Sequence, residues 1–162
     1  MSLGVCSCGV AMNSHMSKRC NRLVPAQYSD GHARPARISL SIFVVDDDPI
    51  AVEVLKSLLE AEGHVVQAYG SAATAAPHLW RKRPDVVIVD LVMAEIDGLE
   101  LCRYVSNHPT LENTTLIVVS GLDEAYWRDR TKEVGAAGFL AKPITSSMVK
   151  EIEALASVPR LR

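Results

Sequence analysis

Five short apolar runs, each followed by a stretch with helical periodicity, recur between Ile38 and Ala156. This alternation constrains the fold more than any other feature of the chain. Ile38–Val45 is rich in β-branched residues and reads as a buried strand. Val65–Tyr69, Asp85–Asp90, Leu116–Val119 and Ala137–Leu140 are the four strands expected after it. Asp85-Val-Val-Ile-Val-Asp90 lacks any polar alternation, as a central parallel strand covered on both faces must. Strands separated by helices of about 10–13 residues require right-handed crossovers and hence a parallel sheet. The expectation is an α/β protein: a flavodoxin-like (βα)5 doubly wound sheet, strand order 2-1-3-4-5, in a single domain.

The helix signals are local and mechanistic. Asp48-Pro49 supplies an N-cap and a proline in the first turn. Ile50, Val54, Leu55, Leu58 and Leu59 then recur at helical spacing, and Gly63 closes the helix. Ser71 caps a second helix running towards Arg83, in which Pro77 is expected to introduce a kink or delay the start. Further helices are expected from about Leu99 to Asn107, over Asp123–Val134 and over Ser146–Ala156. His64 and His78 are read as surface or boundary residues, and Trp80 and Trp127 as half-buried helix residues.

Residues 1–37 have no such periodicity and read as a disordered or loosely packed basic tail. They hold five basic residues against Asp30, a net of +4, whereas the rest of the chain sums to −6. The total of −2 argues against direct nucleic-acid binding by the whole molecule. Cys6, Cys8, Cys20 and His15 follow the spacing C-x-C-x6-H-x4-C, which matches none of the usual zinc patterns, so they read as reduced thiols. Cys102 reads as a small core residue. No apolar run approaches the roughly 18 residues of a membrane span, and no secretory signal is expected. The domain plan is therefore a tail over 1–37, a folded unit over 38–157 and a short tail over 158–162, in the cytoplasm.

Chemistry concentrates at the strand ends. Asp46 and Asp47 end the first strand, Asp90 the third, Ser120 the fourth, and Lys142 follows the fifth. In a parallel α/β sheet the strand C-termini share one edge, so residues distant in sequence can converge there. Three gathered carboxylates would repel one another and raise each other's pKa. A hard divalent cation relieves that repulsion, and Mg²⁺ prefers oxygen ligands while retaining water. Lys142 precedes Pro143, which favours an extended conformation and aims the ammonium across the edge. The hydroxyl of Ser120, with Gly121 behind it, can donate to a phosphoryl oxygen. Taken singly, Asp46-Asp47-Asp48 is a helix cap with solvated neighbours, Ser120-Gly121 a turn and Lys142 a surface lysine. Only the set points to phosphoryl chemistry.

On these residues the chain resembles the receiver domain of two-component response regulators, of stand-alone chemotaxis type. Asp46-Asp47-Asp48-Pro49 is similar to the family's acidic pair. Asp90-Leu-Val-Met-Ala-Glu-Ile-Asp97-Gly98 is similar to its phosphoacceptor motif, and Phe139-Leu-Ala-Lys142-Pro143 to its aromatic-x-x-Lys-Pro motif. The intervals are 43 residues from Asp47 to Asp90, 30 to Ser120 and 22 to Lys142. The resemblance covers about residues 38–157. It implies that Asp90 takes a phosphoryl group from a histidine kinase or histidine phosphotransfer protein. It also implies that Mg²⁺ is held by Asp46, Asp47, Asp90 and the backbone carbonyl of Val92. Asp47 would ligate the metal directly and Asp46 partly through water. Ser120 and Phe139 would form the switch, with Phe139 rotating inward and the face of the fourth helix, fifth strand and fifth helix carrying the output by protein contact. Such a protein is not an enzyme in the usual sense. It catalyses only its own phosphorylation and dephosphorylation, as a monomer or a phosphorylation-dependent dimer.

Two departures stand out. Ala94 replaces the family's usual proline after Met93, which should loosen that loop. Val92 places an apolar side chain where some relatives have a polar one. Two other classes use similar parts. A Mg²⁺-dependent phosphohydrolase also uses an aspartate nucleophile, but would have it after the first strand and would need a cap domain. A flavodoxin-like cofactor carrier needs a hydroxyl- and glycine-rich phosphate loop after the first strand, where three aspartates would repel the phosphate.

Overall fold

A computed structural model describes residues 38–93, 98–122 and 124–158. The tail 1–37, Ala94 and the C-terminal residues 159–162, on which the sequence carries expectations, lie outside these. The strands are β1 (Ser41–Val45), β2 (Val65–Tyr69), β3 (Val86–Val89), β4 (Thr115–Ser120) and β5 (Gly138–Ala141). The helices are α1 (Pro49–Ala61), α2 (Ala72–Lys82), α3 (Gly98–Asn107), α4 (Glu124–Glu133) and α5 (Ser147–Ser157), with a short 3-10 turn over Pro109–Leu111. All four strand pairings are parallel and the order is β2-β1-β3-β4-β5, the expected flavodoxin-like arrangement.

The side-chain alternation of the strands builds two cores. Phe43, Val45, Val87, Val89, Leu116, Val118 and Phe139 face α2 and α3, which contribute Ala75, Leu79, Leu101 and Val105. Ile42, Val44, Val86, Ile88, Ile117, Val119 and Leu140 face α1 and α5, which contribute Leu55, Leu59, Val149 and Ile152. Every residue of β3 and β4 is buried, which explains their unbroken apolar sequences. In the edge strand β2, by contrast, Val66 alone is buried, and Val65 and Ala68 are exposed.

Register fixes the functional edge. Val45 pairs with both Tyr69 and Val89, and Val89 pairs with Val118. The amide of Asp46 donates to Tyr69 O at 3.1 Å and that of Asp90 to Val45 O at 2.9 Å, so the ladder continues one residue past each strand. Ser120 pairs with Ala141, and the Lys142 amide donates to Ser120 O at 2.9 Å. Asp46, Asp90, Ser120 and Lys142 therefore emerge together at the C-terminal edge.

The caps form as the sequence indicates. Asp48 accepts the Ile50 amide at 2.9 Å, Gly63 adopts φ +94° after α1, and Ser71 accepts the Thr74 amide at 3.3 Å. Two readings need correction. The delayed start expected of α2 does not occur: the helix begins at Ala72 and runs through Pro77. Pro77 is exposed, while Ala72, Ala75 and Leu79 bury the opposite face; that burial outweighs the lost backbone hydrogen bond. His64 is not a surface or boundary residue: it is 5% exposed at the start of β2. The cost of Pro77 gives a test. Pro77→Ala restores an amide donor on an exposed face, and should raise the unfolding free energy by about 1–3 kcal/mol in urea titration; an unchanged midpoint would show that the helix carries no such penalty.

Candidate functional site

Two carboxylates at adjacent strand ends share one ammonium. Lys142 Nζ donates to Asp46 Oδ2 at 2.8 Å and to Asp90 Oδ2 at 2.7 Å. Asp46 and Asp90 are both buried, and the lysine side chain is largely covered. The other oxygens are held locally. Asp46 Oδ1 accepts the Asp48 amide at 2.8 Å, and Asp90 Oδ1 accepts the Val92 amide at 3.1 Å. Each aspartate thus closes a turn onto the amide two residues on, the local bond that aspartate favours. With Oδ1 anchored, Oδ2 of each is turned to the lysine. The Lys142–Pro143 peptide bond is cis.

The electrostatics are uneven. Burial pushes the Asp46 carboxyl above its ordinary value of 3.8; bonds from Lys142 and the Asp48 amide oppose this, and Asp90 adds repulsion. Burial would lower the Lys142 pKa, but its two carboxylate partners hold it above the ordinary 10.5. The two shifts are consistent because the ammonium faces two anions, whereas each anion has half an ammonium. The site is therefore short of positive charge.

The other expected residues fall as follows. Asp47 is exposed at the same strand end. Among the described residues, no three acidic, His or Cys side chains group as a ready metal cage. Ser120 is fully buried, and its hydroxyl makes no hydrogen bond among the described residues. A buried hydroxyl left unpaired costs on the order of 1–3 kcal/mol, so this position is retained against stability. Val92 is 56% exposed, its amide spent on Asp90. Phe139 is 3% exposed, already inside the core beside Val118.

The family model for the response regulator receiver domain matches residues 42–153. The chain belongs to that family. The response regulator PleD of Caulobacter vibrioides is 33% identical over 112 residues, covering 69% of this chain and 25% of PleD. The chain thus spans a quarter of that relative's length. A putative response regulator from Chloroflexus aurantiacus superimposes with a TM-score of 0.70 at 25% identity, covering 74% of this chain and 99% of that one. The signal receiver domain of a signal transduction histidine kinase from Syntrophus aciditrophicus gives a TM-score of 0.67 at 31% identity, covering 76% and 96%. Receiver domains are signalling phosphoacceptors, generally not classed as enzymes. Among the described residues of this receiver, no helix is long and apolar enough to cross a membrane.

One position of the receiver gains a role that the sequence alone did not give it. A Cβ on Gly98 would collide with Asp90 O and would lie 2.7 Å from Leu91 Cα. The first residue of α3 must therefore be glycine for the helix to close onto the backbone of Asp90. The Asp97-Gly98 pair just before a helical pattern is the signal that could have indicated it.

The donor set suits a hard cation. Asp46, Asp47 and Asp90 offer only oxygen, the buried pair is undercompensated, and Mg²⁺ binds through one or two carboxylates with retained water. The same imbalance sets a pH dependence. Because the folded state raises the Asp46 pKa, its stabilising contribution is complete below 3.8 and is lost as pH rises through the folded value. In metal-free buffer, Asp46→Asn should therefore be more stable than wild type at pH 7 by about 1 kcal/mol, the scale of one poorly compensated buried group. The difference should vanish near pH 3. Thermal melts of both proteins across that range check it, and a variant less stable at pH 7 would contradict it.

Proposed function

We propose that this receiver is a phosphoryl-accepting switch in which Asp90 is the acceptor. The observation that carries this is the double contact of Lys142 with Asp46 and Asp90, beside the unpartnered hydroxyl of Ser120. Asp90 Oδ attacks the phosphorus of a phosphohistidine, the new O–P bond forms and the P–N bond breaks, and the imidazole leaves with the electron pair. A carboxylate needs no general base for this step. Positioning and charge neutralisation supply most of the acceleration.

The residues divide the labour. The Val92 amide holds one oxygen of Asp90 and leaves the other directed to Lys142. Lys142 can follow the charge from the carboxylate to the incoming phosphoryl group, since its ammonium is a point charge on a flexible stem. Asp46, Asp47, Asp90 and the Val92 carbonyl would hold Mg²⁺, which would supply charge neutralisation for the phosphoryl oxygens. Ser120 would donate its hydroxyl to the phosphoryl group, gaining the partner it lacks. Phe139 already occupies its buried position, so phosphorylation would act by populating this arrangement more fully. The output face would be α4, β5 and α5, meeting a protein partner. The phosphodonor would be a histidine kinase or phosphotransfer protein, with the chain acting in the cytoplasm without contacting nucleic acid. The likeness to a receiver from a histidine kinase supports a second reading, in which this domain works inside a longer protein.

Intact-mass measurement after incubation with acetyl phosphate and Mg²⁺ tests the chemistry. Wild type should gain one phosphoryl group, Asp90→Ala none, and the gain should disappear with a chelator. Phosphorylation that persists in Asp90→Ala would overturn the assignment. A second measurement addresses lifetime. The exposed, apolar Val92 side chain cannot orient a hydrolytic water, so Val92→Asn should speed dephosphorylation severalfold; an identical decay rate would refute this role.

A further inference from the structure

At the opposite edge of the sheet, a buried histidine replaces a strand partner. β1 begins at Ser41, paired with Val65, so the preceding Leu40 lies level with His64. Both backbone groups of Leu40 are taken, one by Val65 and one by His64. Leu40 O accepts the Val65 amide at 2.8 Å, and the Leu40 amide donates to Nδ1 of the His64 ring at 3.3 Å. Nε2 of the same ring lies 3.2 Å from Glu153 Oε1 on α5. The imidazole side chain is 1% exposed.

These partners fix the tautomer. A backbone amide can only donate, so Nδ1 must keep its lone pair, and Nε2 must carry the proton it gives to Glu153. The ring is thereby committed to the neutral form. Protonation at Nδ1 would set one N–H against another. We propose that His64 is a proton-sensitive latch: neutral, it ties the lead-in to β1, the start of β2 and α5 together; protonated, it keeps α5 through Glu153 and releases the Leu40 amide.

The surroundings favour release on acidification. From α5 the ring meets Glu153, and Glu153, Lys150 and, after α1, Glu62 line a groove of about 440 Å³ together with Ile38 and Leu40. The lead-in contributes no charge there: Ser39 donates its hydroxyl to Gly63 O at 2.7 Å. The Glu153 carboxylate against Nε2 attracts an imidazolium. The latch would make the order of residues 38–40, which lead into β1, respond to pH.

Amide hydrogen exchange on the full chain, followed residue by residue by NMR, tests this. The Val65 amide, whose bond to Leu40 O does not involve the ring, is the internal reference. At pH 7.5 long-range nitrogen–proton correlations should show His64 protonated at Nε2 only. Between pH 7.5 and 5, protection of Leu40 relative to Val65 should fall by about tenfold, the scale of one hydrogen bond. His64→Phe should lack the Leu40 protection at both pH values. Glu153→Gln, which retains the ring and its acceptor but removes the counter-charge, should keep it to lower pH than wild type. A ring protonated at Nδ1 at pH 7.5, or a Leu40-to-Val65 ratio independent of pH, would overturn the proposal.

Discussion

The contact of one lysine with two aspartates organises the functional edge of this receiver. Lys142 arrives from the strand end beyond β4, and its ammonium spans to residues that follow β1 and β3. The contact depends on the parallel register, which brings Asp46 and Asp90 out side by side one step beyond Val45 and Val89. It also depends on two identical local devices, the turns in which each aspartate accepts the amide two residues on. Without them both carboxylates would be free to rotate into solvent, and the lysine would face neither reliably.

The arrangement is charged against stability. Two anions and one cation are withdrawn from water, Asp46 is raised by its burial, and Ser120 has a hydroxyl with nothing to bond among the described residues. A fold optimised for stability alone would replace such groups. The surrounding apolar layers tolerate them because β3 and β4 are buried throughout on both faces. The deficit of positive charge and the spare donor are complementary to a cation and to a phosphoryl group, which is why stability and the proposed function are in tension at the same few atoms.

Much of this was legible in the sequence, for identifiable reasons. Strand ends are marked by the abrupt change from β-branched residues to Asp or Ser, so the types and positions at the C-terminal edge could be read directly. The convergence of Asp90 with Lys142 followed from the edge that strand C-termini share in a parallel sheet. What sequence could not resolve was which of two neighbouring aspartates turns inward. Asp46 is buried and bonded to Lys142 while Asp47 is exposed, and the Asp48 amide holds the Asp46 carboxylate in that position. The demand on Gly98 depends on a helix approaching a backbone eight residues earlier in the chain. The burial of His64 depends on α5, which lies some ninety residues further on. Pro77 was misjudged because a local rule was overridden by the packing of Leu79 and Ala75.

The most direct test of the account is a crystal structure of the protein with Mg²⁺ and beryllium trifluoride, a mimic of the phosphoryl group. The account predicts the beryllium on an Asp90 carboxylate oxygen, with Lys142 Nζ and Ser120 Oγ each within hydrogen-bond distance of a fluorine and the metal on the side of Asp47. A beryllofluoride bound at Asp46 or Asp47, or a Lys142 side chain still bridging Asp46 and Asp90 away from the fluorines, would contradict it.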